Sequence, residues 1–140
     1  MASAIYNGFK SKLGTIDWSD ANVNVRVMLV TNLYTVDIDA HINHSDITNE
    51  ITGTGYTAGG NLLTSKAIVP DLANDFVKFD ADNGLWANST LTARGAVVYL
   101  DTGVSGTSTL IAFVDFVTDK SSSTGDFIVQ WHQDGIYRIG

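Results

Sequence analysis

His41, His44 and His132 are the side chains of this chain best suited to proton transfer or metal binding near neutral pH. Cysteine is absent, so thiol nucleophiles, thiolate metal sites and disulfides are excluded. His41-x-x-His44 could supply two imidazoles to a metal, with Asp37, Asp39 or Asp46 as a third ligand. The helical zinc motif spaces its histidines four apart and carries a Glu beside the first, and neither condition holds here. No metal and no cofactor is therefore expected. A hydrolytic triad is defined by space and not by order. The Gly-x-Ser-x-Gly elbow that would expose a nucleophile is missing, however, and an enzyme is not expected. The plainer reading makes His41 and His44 polar loop residues and His132 a surface position on a strand.

Three further patterns invite chemistry. Asp80-Ala81-Asp82-Asn83-Gly84 resembles the opening of a calcium loop. Such a loop needs Gly at its sixth position and Glu at its twelfth, whereas here Gly84 is fifth and Leu91 is twelfth. A turn in which Asp and Asn bond their own backbone explains the run better. Gly53-x-Gly55-x-x-Ala58 matches a loose dinucleotide fingerprint. That motif must open a helix, and Gly59-Gly60-Asn61 followed by a strand pattern does not. Asn43-His44-Ser45 and Asn88-Ser89-Thr90 are glycosylation sequons by pattern. The first residues carry no basic segment leading into an apolar run, so no signal peptide is expected and the sequons carry little meaning. No apolar run is long enough to span a membrane as a helix.

The elements that must position these residues follow from turn chemistry and periodicity. The chain has 140 residues, a length that fits one domain over residues 1–140 with a core of its own. Fourteen of its 15 acidic residues are Asp, which favours turns over helix interiors. The net charge of −7, with eight scattered basic residues, argues against a nucleic-acid partner. One helix is expected over residues 5–13, where Ile5, Phe9 and Leu13 recur at helical spacing, with Ser3 as its cap and Gly14 at its end. Strands are expected at 23–30, at 62–69 with a stop at Pro70, and at 76–80. Further strands are expected at 91–100, 110–117, 127–132 and 136–139, with Trp86 in a short segment of its own. Asp134-Gly135 reads as a tight hairpin. The fold class is thus all-β, an antiparallel β-sandwich (jelly-roll-like) or partly open barrel with one short N-terminal helix.

Residues 34–50 form a long polar segment with isolated apolar positions, expected to be a structured loop and an interface candidate. The candidate contact residues are Ile5, Tyr6 and Phe9 in the N-terminal segment, and Tyr34, Ile38, His41 and Ile42 in the loop. Most aromatics are expected between sheet faces. An exposed aromatic platform for carbohydrate is the sharper alternative.

Several segments together resemble a family. They are Val25-Arg26-Val27-Met28-Leu29-Val30-Thr31, the run from Tyr34 through Asp37 and Asp39 to His41, and the block from Asn49-Glu50-Ile51 to Tyr56-Thr57-Ala58-Gly59-Gly60. Phe79-Asp80-Ala81-Asp82, Trp86, Thr90-Leu91-Thr92-Ala93-Arg94, Ala96-Val97-Val98-Tyr99, Asp115-Phe116, Asp119-Lys120-Ser121-Ser122, Gly125-Asp126-Phe127 and Gln130-Trp131 complete the pattern. Together they resemble a family of small structural proteins of tailed-phage virions, of the capsid decoration (cement) type. The resemblance implies a contact protein on the outside of the shell, often a homo-trimer, with the major capsid protein as partner. It implies a location on the virion after synthesis in the host cytoplasm, and it carries no catalytic residues. A tail, head-fibre or adaptor component, or a glycan- or receptor-binding module, is the alternative. Gly95 departs from the bulky residue expected of relatives at that point.

Overall fold

Alternating β-branched residues flanked by Asp, Asn and Gly turns build a molecule that is mostly strand, and every strand pair is antiparallel. The computed structural model describes residues 3–140. In chain order the elements are β1 (Ala4–Ile5), a single helical turn α1 (Asn7–Lys10), β2 (Val25–Val30), β3 (Asn61–Leu62), β4 (Ala67–Asp71), β5 (Phe76–Asp80) and β6 (Gly84–Ser89). Then follow β7 (Thr92–Leu100), β8 (Leu110–Ser121), β9 (Gly125–Val129) and β10 (Tyr137–Ile139). They form a central sheet ordered β1-β8-β7-β2-β3, a second sheet β10-β5-β4 and a pair β6-β9. The sheets stay open, so the architecture is sandwich-like and not a closed barrel.

The central sheet is covered on both faces. Val25, Val27 and Leu29 of β2, with Ala96 and Val98 of β7 and Ile111 of β8, belong to a large core that includes Trp18, Trp86, Phe127 and Trp131. Met28 and Val30 point the other way and join Val97, Tyr99, Leu110 and Phe113 in a second cluster. That second face is covered by Tyr6 and by the segment after β2, through Tyr34, Val36, Ile38 and Ile47. The alternation in β2 therefore separates two apolar environments, and its only charged residue, Arg26, lies on the second side at the rim.

Two glycines are required by close approach. A Cβ on Gly60, whose φ is +77°, would stand 1.9 Å from the Val27 carbonyl oxygen. A Cβ on Gly95 would stand 2.7 Å from the Phe113 ring, which explains why this strand position holds no bulky residue.

Several sequence-derived boundaries shift. The helix expected over 5–13 shrinks to α1, because Ile5 pairs with Ala112 at the sheet edge and Leu13–Thr15 forms a 3-10 turn. Ser3 does not cap it; its hydroxyl accepts the Asp115 N–H instead. The strand expected over 62–69 divides between two sheets, with Ser65 at φ +54° between the parts. Pro70 lies inside β4, tolerated because β4 is an edge strand whose outer side bonds to no neighbour in the sheet. The Asp134-Gly135 turn exists, closed by Gly135 N–H to the His132 carbonyl at 2.8 Å. It does not make a hairpin, since β9 pairs with β6 while β10 pairs with β5.

Candidate functional site

The N-terminal segment and the 34–50 loop, chosen separately from sequence, meet on the second face of the central sheet. Asn7 N–H donates to the Ile38 carbonyl at 3.0 Å, and Leu110 N–H donates to the Ile42 carbonyl at 2.9 Å. Between them runs a buried polar chain. The Tyr6 and Tyr34 hydroxyls lie 2.9 Å apart, and the Tyr34 hydroxyl lies 2.8 Å from His41 Nδ1. The Asp37 N–H also reaches His41 Nδ1, at 3.2 Å. Because that N–H needs an acceptor, Nδ1 is unprotonated, so Tyr34 donates to it and Tyr6 donates to Tyr34. Burial raises the phenol pKa of both tyrosines above its ordinary value. Asp37 and Asp46 are held below the usual carboxylate range by the backbone N–H groups they accept, from Ala40 and Asp39 and from Asn43 and Ile42 respectively.

This arrangement corrects part of the expected contact surface. Tyr6, Phe9 and Tyr34 are buried by the chain's own side chains, because each fills space over an apolar sheet face that would otherwise meet water. Ile5 and Ile38 are half-buried packing residues, and His41 is half-buried by its hydrogen bonds. Ile42, 43% exposed, is the candidate that stays on the surface, with Leu33 nearby in sequence also exposed.

Another exposed apolar surface lies on the sheet of β4, β5 and β10. Paired residues on antiparallel strands share a face. Ile68, Phe79 and Tyr137 form one row, and Pro70, Val77 and Ile139 form the next row on that same face. Phe79 and Tyr137 stack at 4.4 Å and pack edge-on against Trp18, closing the core. The following row overhangs that core: Ile139 is 48% exposed, and Leu72 at the hairpin tip is 87% exposed. Reading Pro70 as a strand stop hid this overhang. The run Ile68-Val69-Pro70 followed by Leu72 was its signal, since a strand apolar on consecutive residues has more apolar surface than one core face takes up.

The motifs weighed for chemistry resolve into structure. Among the described residues no group of three or more His, Cys, Asp or Glu side chains is placed to hold a metal. His41 joins the tyrosine chain, while His44 stacks on Tyr99 with ring centroids 4.4 Å apart. The Asp80–Asp82 segment lends its carbonyls to two indoles: Trp18 Nε1 donates to Asp80 at 3.0 Å and Trp131 Nε1 to Asp82 at 2.9 Å. The glycine block at 53–60 is organised by Glu50, which accepts the Tyr56 hydroxyl at 2.6 Å and the Gly59 N–H at 2.7 Å. Ser89 of the second sequon is buried, bonded to the Trp86 and Gly125 carbonyls.

Arg26, Tyr99, His44 and the Gly59-Gly60 backbone line an open polar cleft of about 560 Å³. Arg26 Nε donates to Asp101 at 2.6 Å, a pair whose side chains are only 36% and 24% exposed. Neither Arg26 nor Asp101 was singled out from sequence. The signal available was a lone cation inside an apolar strand. Comparison of the chain with protein-family models, with curated proteins and with solved structures finds no match.

Proposed function

We propose that this chain is a structural contact protein of a tailed-phage particle, a cement protein that binds the outside of the capsid shell and stabilises it. The family assignment rests on the sequence resemblance. The observation that carries contact as the mode of action is the exposed apolar surface of Ile68, Pro70, Leu72 and Ile139 on a sheet braced by stacked aromatics. Apolar surface held out on a rigid framework is stabilised by burial against a partner, at roughly 25 cal/mol per Å² removed from water. Trimerisation belongs to the same reading, because three linked weak contacts on a symmetric shell act as one strong one. No catalytic role is part of it.

The test is co-sedimentation with undecorated shells of the phage that encodes the chain, at near-physiological salt, with native mass measured in parallel. Saturable co-sedimentation, weakened by Leu72→Asp together with Ile139→Asp while circular dichroism stays native, is the expected outcome. Absence of the wild-type chain from the shell pellet would sink the proposal.

A further inference from the structure

The cleft beside His44 goes beyond that reading. Its walls differ in what they offer a ligand. Several acceptors along it are occupied: Asp101 takes Arg26 Nε on one oxygen and the Gly103 N–H, at 2.8 Å, on the other. The Gly59 carbonyl takes the Tyr99 hydroxyl at 2.5 Å, and the Gly60 carbonyl takes Arg26 Nη1 at 3.4 Å. Donors remain over. Arg26 Nη2 has no partner among the described residues, and neither ring nitrogen of His44 has one.

Both leftover donors are held in place before any ligand arrives. Arg26 is fixed at two nitrogens, so its planar fork is pre-oriented. His44 stands at the start of a 3-10 turn whose Asn43 and Asp46 bond reciprocally. Its N–H donates to the Ser108 carbonyl at 2.7 Å, and its ring lies flat on buried Tyr99. A guanidinium edge and an imidazole that are unpaired and pre-oriented along one cleft match a group that accepts hydrogen bonds. We infer that this cleft binds a small oxyanion, a carboxylate or a phosphate, between the free edge of Arg26 and the ring of His44. A charge-assisted pair to a guanidinium edge is the strong form of such a contact.

The experiment titrates the whole chain with inorganic phosphate and, separately, with acetate at constant ionic strength. Arg26 side-chain and His44 ring resonances report occupancy. Saturable shifts at millimolar concentration or tighter are expected, weakened about tenfold, or 1.4 kcal/mol, in Arg26→Gln and in His44→Gln. Tighter phosphate assigns a tetrahedral ligand and tighter acetate a planar one. Arg26→Gln also breaks the Asp101 pair, so if it loses native circular dichroism His44→Gln decides. No saturable shift with either anion, or shifts of equal affinity in the folded variants, would overturn the inference and leave an adventitious ion only.

Discussion

Removing the hydroxyls of Tyr6 and Tyr34, singly and together, tests the buried polar chain quantitatively. Tyr6 is fully buried, and Tyr34 is the single hydrogen-bond partner of its hydroxyl among the described residues. Tyr34→Phe therefore removes two hydrogen bonds and strands the Tyr6 hydroxyl away from water. A lost neutral bond costs about 1 kcal/mol and an orphaned buried donor about 1–3 kcal/mol, so a total near 3 kcal/mol is expected. Tyr6→Phe is milder, about 1 kcal/mol, because Tyr34 keeps His41 as its acceptor at 2.8 Å. In the double variant nothing at position 6 is left to satisfy. Its cost should be about 2–3 kcal/mol, below the sum of the singles by at least 1 kcal/mol, which is the coupling energy of the pair. Urea unfolding followed by tryptophan fluorescence measures all three free energies, and each kcal/mol corresponds to roughly 3 °C in melting temperature. Additive single and double costs would refute the claim that the two hydroxyls serve one another.

Three other outcomes follow from single contacts. Gly60→Ala should destabilise the fold by more than about 3 kcal/mol in thermal melts, since its Cβ would stand 1.9 Å from the Val27 oxygen at a positive φ, whereas Gly106→Ala, with open space around it, should stay within about 0.5 kcal/mol. Trp131→Phe removes the Nε1 bond to the carbonyl of Asp82, an exposed residue that water can reach, while buried Trp86 Nε1 has no acceptor among the described residues, so by denaturant unfolding the hydrogen-bond part of the cost should be about 0.5–1.5 kcal/mol in Trp131→Phe and absent in Trp86→Phe. All five tyrosines have pKa values raised, chiefly by burial, with Tyr99 pushed up to about 12. The folded state thus holds its phenol protons longer than the unfolded chain, so stability is complete below about pH 10 and is lost as pH rises toward 12. Phenolate absorbance should accordingly rise together with unfolding, and titration of any tyrosine near pH 10 in the native protein would contradict its burial.

Turn chemistry and strand periodicity were enough to read an antiparallel β-rich fold, because Asp, Asn and Gly turns act over a few residues and alternation reports a sheet face directly. They also gave the 53–60 segment as turns, which the positive φ angles of Gly55, Gly59 and Gly60 bear out. The tertiary structure decided where strands go after each turn. Asp134-Gly135 has hairpin chemistry, yet its flanking strands join different sheets, since pairing is set by which apolar rows can be buried together. The same holds for the candidate surface. Tyr6 and Tyr34 share a pattern with adhesive loop residues, and only their meeting over Met28, Val30 and Phe113 makes them core. Arg26, His44 and Asp101 are far apart in sequence, and a register that sets Arg26 opposite Tyr99, just before Asp101, brings them to one cleft. Local residue chemistry determined the strands and turns of this protein; burial, a property of the whole chain, determined which of its apolar and polar groups are left for a partner.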